Sequence, residues 1–207
     1  MEGIVIMGIS TKITAFLIGQ GIVSAEDKEI YEYGFELLIA DFINFTFILI
    51  IGGVSNKFWQ TITYIILFVG LRSVCGGYHA KTHSRCHICT IGAFLAFLVL
   101  LNQKLLETSE LLIPTGNFLA MILVVLFAPV THADKPLCQS VYKRNRIVAI
   151  VLFSFLAGLS IGLRYINKFE ESNVISLTLW IVALAMIPAI NIHLWFKRRK
   201  KHEEHDL

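Results

Sequence analysis

Residues 147–166 read IVAIVLFSFLAGLSIGLRYI, a stretch with a single charge, at Arg164. A helix that crosses a bilayer needs about 20 mostly apolar residues, and this stretch meets that length. The whole chain has the same bias. Of its 207 residues, 56% are hydrophobic and 16% are charged, whereas about 25% of the residues of a soluble domain are charged. The sequence therefore predicts an all-α membrane protein, because a chain this apolar could not cover a surface that faces water.

Similar apolar runs recur along the chain. They predict six membrane-spanning helices, of which the fourth is the shortest, at 33–53, 58–75, 88–106, 117–133, 147–166 and 174–196. We expect one membrane-embedded domain over 1–207. Its parts are an N-terminal segment at 1–22, a six-span core at 33–196 and a basic tail at 197–207.

The segment 1–22 differs from the spans because it mixes apolar and polar positions. Its apolar residues recur at helical spacing: Ile6, Ile9, Ile13, Phe16 and Leu17. This pattern is typical of an amphipathic helix that lies in the membrane interface, and it also fits an ordinary helix packed on the rest of the protein. Residues 24–27 read SAED, which resembles a capping box, so we expect the first long helix to begin there.

The distribution of Lys and Arg predicts the orientation in the membrane. The sequence KRRKK at 197–201 places the C-terminus in the cytoplasm, because cytoplasmic segments are enriched in these residues. Six spans then place the N-terminus and the basic segments 72–87 and 132–146 on the same side. We therefore expect a multi-pass protein of the cell membrane with both termini cytoplasmic.

The polar segment GGYHAKTHSRC at 76–86 has the residues best suited to catalysis. Cysteine reacts as the thiolate, which a nearby imidazole or a helix N-terminus stabilises. Cys86 is predicted to lie at the start of the third span, with Ser84 as its N-cap. His79 precedes Cys86 by about 10 Å on a continuous helix, so the chain must turn between them, and the leading glycines permit this. A wet, basic loop without catalytic function fits the same residues.

Arg72, Gly77, His79 and Cys86, at the end of an apolar span in a protein of this size, resemble the accessory gene regulator B (AgrB) family. The resemblance implies a membrane cysteine endopeptidase of quorum sensing. Such an enzyme cleaves the C-terminal tail from a cytoplasmic precursor called AgrD through a thioester on Cys86. It then promotes cyclisation to a thiolactone or lactone autoinducing peptide.

The resemblance also implies roles and partners. Cys86 would be the nucleophile, and His79 would act as base and then as acid. The expected partners are an AgrD-like precursor, membrane lipid and a second copy of the chain. We expect no cofactor, no metal and no nucleic acid partner.

Further candidates surround this pair. Arg72 and Gly77 would stabilise an oxyanion or hold substrate, although Arg72 also fits a snorkelling arginine at the membrane surface. Glu36 and Asp41 are carboxylates inside the first span, where charge is costly, and one of them would orient His79. Asn44 and Gln60 are weaker candidates.

The second basic loop has residues that would bind an acidic precursor tail: Lys135, Lys143, Arg144 and Arg146. Control of topology and contact with anionic lipid explain the same charges equally well.

Two other functions fit the chain. A zinc-dependent membrane hydrolase would use ligands from the set His79, His83, Cys86, His87 and Cys89. A free thiolate is favoured over zinc because His79 and His83 lie in a glycine-led loop rather than a clear helix. A small exporter would use Glu36 and Asp41 without covalent chemistry. The remaining cysteines are interpreted as packed or incidental thiols that stay reduced in the cytoplasm, namely Cys75, Cys89 and Cys138.

Overall fold

The computed structural model describes the chain in three stretches, 2–76, 83–130 and 138–203. Within them, the side chains left out are those of 2–5, 83–86, 107 and 188–203. The described stretches form eight α-helices: α1 (Glu2–Gly19), α2 (Lys28–Val54), α3 (Phe58–Cys75), α4 (His83–Leu101), α5 (Leu105–Thr108), α6 (Leu112–Phe127), α7 (Gln139–Tyr165) and α8 (Phe169–Glu203). They contain no strand, so the predicted all-α fold is confirmed.

Each of the six predicted spans overlaps a helix. Among the described residues, four helical segments are long and apolar enough to cross a membrane: Ala25–Val54, Phe58–Cys75, Gln139–Tyr165 and Phe169–Ile187. Among the residues with described side chains, two shorter apolar stretches lie in α4 and α6, namely His87–Leu101 and Leu112–Phe127. At a rise of about 1.5 Å per residue, α6 extends about 24 Å, less than the hydrocarbon core of about 30 Å. The helices are those of a membrane protein, and the count of six spans stays a prediction.

Several predicted boundaries were wrong. The fourth helix begins at Leu112 rather than at 117, because Pro114 falls in its first turn, where proline is tolerated. The fifth begins at Gln139, so most of the segment predicted as the second basic loop is helical. The last begins at Phe169 and continues as helix through the basic residues 197–201.

Residues 1–56 and 80–94 form one compact unit, in which α1 packs against α2. The N-terminal helix is confirmed as α1. Its buried positions are Ile6, Ser10 and Thr14, whereas Ile9, Ile13 and Phe16 are exposed. Small polar residues allow helices to approach closely in a membrane, so α1 is packed and also offers an apolar stripe outward.

The capping segment lies between α1 and α2. The Ser24 hydroxyl accepts a hydrogen bond from the Glu26 N–H at 3.3 Å and caps a 3-10 turn, Ala25–Asp27, that leads directly into α2. The predicted helix start at 24–27 is therefore confirmed.

Residues 57–79 and 95–207 form a second compact unit around α8. The first half of α8 is buried on nearly all sides and packs against α3, α6 and α7. Its fully buried apolar residues include Leu177, Leu179 and Met186. Tyr64 of α3 lies within 4.6 Å of the Phe97 ring, centroid to centroid, and completes an aromatic layer of this core.

Four polar side chains join α6, α7 and α8 inside that core, and we call them the Asn117 node: Asn117, Ser160, Ser176 and Trp180. The Asn117 amide donates to Ser160 at 2.8 Å and to Ser176 at 3.2 Å, and Ser176 donates to Ser160 at 3.0 Å. The Trp180 indole N–H donates to the Asn117 carbonyl oxygen at 2.9 Å. Because each of these polar groups has a partner, the node can stay buried in an apolar environment.

Candidate active site

Cys86 is the fourth residue of α4, which begins at His83. The prediction that Cys86 lies at the start of a helix is confirmed. Ser84 is not the N-cap but the second helical residue, because α4 starts earlier than the pattern indicated. The first turn of a helix has unsatisfied N–H groups and a partial positive charge, which favour an anion such as a thiolate.

His87, the residue after Cys86, is hydrogen-bonded to α2. Its Nδ1 lies 2.6 Å from Oδ1 of Asn44, which is 2% exposed. Asn44 belongs to the buried stripe of α2 that also contains Ala40, Ile48 and Gly52. The first turn of α4 and the middle of α2 are therefore joined by a polar contact in otherwise apolar surroundings.

Gly76 opens the polar segment in the second unit, directly after α3. Its φ of 72° and ψ of −161° are accessible almost only to glycine. Gly76 pairs with Val130 in a parallel bridge, in which the Val130 N–H donates to the Cys75 carbonyl at 2.9 Å. A Cβ at Gly76 would overlap the Val130 carbonyl oxygen. The expectation that glycine permits an unusual backbone here is confirmed, and the bridge joins the residue that precedes segment 77–82 to the residue that precedes segment 131–137.

Arg72 lies in the last turn of α3 and is half-buried. Its guanidinium carbon is 5.6 Å from the centre of the Phe68 ring, at a distance typical of a cation–π contact. Its carbonyl oxygen accepts the Gly76 N–H at 3.0 Å. Arg72 is therefore hydrogen-bonded through its backbone to the residue that opens the polar segment.

The two carboxylates predicted in the first span lie on α2 in the first unit. Glu36 is half-buried, and one of its partners is the Ser10 hydroxyl, which donates to Oε1 at 3.5 Å. Asp41 is exposed. Gln60, a weaker candidate, donates to Glu170 at 2.9 Å together with Lys57 at 2.6 Å, and so belongs to a contact between α3 and α8.

Three of the predicted basic residues lie among the first eight residues of α7. Lys143 and Arg144 are exposed, whereas Arg146 donates to the Val125 carbonyl at 3.3 Å, near the end of α6. These residues were predicted in a loop and are instead helical, because the apolar pattern used to delimit the span ignores charged turns that extend a helix beyond the membrane core.

Some predicted site residues lie outside the described residues: Gly77, His79 and Lys135, and also the side chains of His83 and Cys86. Of the other cysteines, Cys75 is fully buried, as predicted for a packed thiol, and Cys89 and Cys138 are exposed. Among the described side chains, no group of three His, Cys, Asp or Glu residues converges as metal ligands do.

Comparison with known proteins identifies the family. The sequence profile of the family Accessory gene regulator B matches residues 10–187. The chain belongs to the accessory gene regulator B family. This span includes every residue of the AgrB-like site discussed above, from Glu36 to Arg146.

Individual AgrB relatives are distant. Accessory gene regulator protein B of Staphylococcus intermedius is 31% identical over 101 residues, covering 49% of this chain and 53% of the relative. Putative AgrB-like protein 2 of Clostridium perfringens is 27% identical over 149 residues, covering 68% and 70%. The protein from Staphylococcus epidermidis is 25% identical over 104 residues, covering 50% and 52%. The chain thus aligns with about half the length of the two staphylococcal relatives, and no solved structure gives a significant match.

The contact between Asn44 and His87 is a feature of this AgrB family member that the sequence did not predict. Asn44 was a weaker candidate for the site, and His87 was considered only as a metal ligand. The available signal was a buried-face asparagine within an apolar helix, since such an amide requires a hydrogen-bond partner. Nothing in the spacing of two separate helices identified that partner.

Proposed function

We propose that this chain is a membrane cysteine endopeptidase that removes the C-terminal tail of an AgrD-like precursor and promotes cyclisation of the remaining peptide. The observation that carries the proposal is the position of Cys86 in the first turn of α4, within a chain of the AgrB family. A cysteine at a helix N-terminus is in the environment that favours the thiolate. Cys75 is a poor alternative nucleophile because it is fully buried.

In the proposed first step, the Cys86 sulfur attacks a backbone carbonyl carbon of the precursor and a C–S bond forms. His79 takes the thiol proton and passes it to the leaving nitrogen as the C–N bond breaks. The tail leaves with a free amine, and the precursor remains as a thioester on Cys86. Arg72 would stabilise the negative oxygen of the tetrahedral intermediate or bind a precursor carboxylate.

In the second step, a cysteine or serine inside the precursor attacks the thioester. The Cys86–acyl bond breaks, the thiol is protonated again, and a thiolactone or lactone ring closes. This nucleophile would compete with water because it is held near the thioester, at a high effective concentration.

The bridge between Gly76 and Val130 supports a role for both basic segments in binding the substrate. It joins Gly76, which precedes the segment with His79, to Val130, which precedes the segment with Lys135. Lys143 and Arg144 are exposed on the helix that follows. We propose that these cations bind an acidic precursor tail while the polar segment cleaves it.

We propose that the protein lies in the cell membrane, with its termini and polar segment in the cytoplasm. Its proposed partners are the precursor, lipid and a second copy of the chain. The exposed apolar residues of α2 and α7, including Phe42, Ile50 and Phe155, are suited to contact with lipid.

The direct test is Cys86→Ala in full-length protein co-expressed with a tagged precursor. We expect cleavage, read by gel mobility, to be abolished while membrane insertion is unchanged, because the nucleophile is lost. Cys89→Ala is the matched control, since it removes an exposed thiol one turn later in the same helix. Normal cleavage by Cys86→Ala would exclude the proposed function.

A further inference from the structure

The first turn of α4 is held by one of its own side chains. His87 Nδ1 lies 2.6 Å from Asn44 Oδ1, shorter than the usual N–H···O distance of about 2.9 Å. Because a carbonyl oxygen only accepts, His87 Nδ1 is the donor of this hydrogen bond.

Asn44 is poorly suited to its position unless this bond forms. It is 2% exposed, and its neighbours one turn before and after on α2, Ala40 and Ile48, are buried apolar residues. An amide in such surroundings is costly when it lacks a partner, so the pairing with His87 is strongly maintained. Both residues belong to the same compact unit of the chain.

The hydrogen bond to His87 also fixes the rotation and height of the helical turn that contains Cys86. Successive residues of an α-helix are related by a rotation of about 100° and a rise of about 1.5 Å, so fixing one residue fixes the setting of its neighbour's backbone. The first turn of a helix needs such help because its N–H groups lack acceptors within the helix.

We infer that Asn44 is a positioning residue: it acts through His87 to hold the first turn of α4, and with it the Cys86 backbone, at one rotation and depth. The inference rests on the proposed function of Cys86 as nucleophile. A displacement of about 1 Å is enough to lower the rate of an enzyme about 100-fold, so a modest loosening of this turn has a large effect.

The test uses full-length protein in which Cys89 and Cys138 are replaced by serine, leaving Cys86 and the buried Cys75. Asn44→Leu removes the acceptor oxygen, and Asn44→Ser replaces the side chain by a shorter one whose oxygen lies farther from His87. Asn44→Asp keeps an acceptor oxygen in the same position. Thr46→Val is the control, because Thr46 is an exposed residue of α2 whose hydroxyl bonds to its own helix, at Phe42. Two rates are measured on the folded fraction: precursor cleavage, separated into kcat and KM, and alkylation of Cys86 by N-ethylmaleimide at neutral pH.

We expect Asn44→Leu and Asn44→Ser to lower kcat by about 10-fold to 100-fold with KM unchanged, and to slow alkylation of Cys86. Asn44→Asp should retain most of the parent rate, and Asn44→Leu combined with His87→Leu should lose no more than either change alone. If Asn44→Leu does not fold, Asn44→Ser tests the positioning role, since small polar residues are tolerated where membrane helices meet.

Failure of the proposed function and failure of the positioning role give different results. A parent protein whose Cys86 is alkylated but never cleaves the precursor contradicts the proposed function. Folded Asn44→Leu or Asn44→Ser protein with the parent's kcat, or with alkylation as fast as in the parent, overturns the positioning role.

Discussion

Asn44 and Asn117 are both 2% exposed asparagines in apolar helices, yet they are satisfied in different ways. Asn117 is hydrogen-bonded to three side chains, which join α6, α7 and α8 within a core of bulky apolar residues. Asn44 is hydrogen-bonded to His87, next to the proposed nucleophile. The first arrangement stabilises a core, whereas the second connects a core position to the segment with the proposed chemistry.

The same contrast separates two crowded glycines. A Cβ at Gly116 would overlap the ring of Trp180, a member of the Asn117 node, whereas a Cβ at Gly76 would overlap the backbone oxygen of Val130 at the border of the polar segment. A change at Gly116 should therefore affect stability, and a change at Gly76 should affect activity. Substitutions at these positions test whether the two regions differ as described.

Gly76→Ala should have the largest effect. It introduces both strain at a positive φ, of about 1–3 kcal/mol, and an overlap with backbone that cannot rotate away. We expect the bridge to Val130 to open and cleavage to fall by about 100-fold. Cleavage of a tagged precursor by membranes with matched amounts of protein measures the loss. Gly70→Ala is the control, because Gly70 lies in α3, the helix before Gly76, and a Cβ there meets open space. Equal activity of the two variants would contradict the role of the bridge.

Gly116→Ala should lower stability instead. The new methyl group displaces the Trp180 ring and weakens its bond to Asn117, at a cost of about 1–3 kcal/mol. Thermal unfolding in detergent measures this loss, and the kcat of the remaining folded protein should equal that of the parent. Gly158→Ala, where a Cβ meets open space on α7, should leave the unfolding temperature nearly unchanged. A normal melting temperature with reduced kcat in Gly116→Ala would contradict the assignment of Gly116 to stability rather than activity.

Lys57→Met should have the smallest effect. Lys57 Nζ lies 2.6 Å from the Glu170 carboxylate and links the N-cap of α3 to the first turn of α8, but the Glu170 side chain is 47% exposed. Such pairs contribute at most about 1 kcal/mol, and salt weakens them further. Thermal unfolding at low and high salt checks this, with Lys168→Met, in a more exposed pair, as control. A loss as large as that of Gly116→Ala would show that this pair belongs to the core.

The helical fold could be predicted because apolar runs of bilayer length leave little choice of structure. The run at 147–166 and its counterparts in α2, α3 and α8 were located to within a few residues, apart from their polar ends. The ends of the helices were harder to predict, because charged turns such as that of Lys143 and Arg144 extend a helix without adding to its hydropathy. The start of α6 was placed too late because of Pro114, since a proline occurs both where a helix breaks and in the first turn of a helix.

The site was predictable only where its chemistry is local in sequence. The position of Cys86 at a helix start and the unusual backbone of Gly76 follow from residues within one short segment. The pairing of Asn44 with His87 and the bridge from Gly76 to Val130 join residues 43 and 54 positions apart. Such contacts depend on how helices pack, which the pattern of a single chain does not specify.

Trapping the acylated enzyme tests most directly whether Cys86 forms a thioester with the precursor. A precursor that lacks its internal ring-forming cysteine or serine should still acylate Cys86 and lose its tail, but it cannot close the ring. Mass spectrometry of the purified full-length protein should then show an added mass equal to the tail-less precursor, located on Cys86 and released by hydroxylamine. The adduct should be absent from Cys86→Ala and present in Cys89→Ala. A precursor that is cleaved at the normal rate by Cys86→Ala, or an adduct located on another residue, would contradict the account.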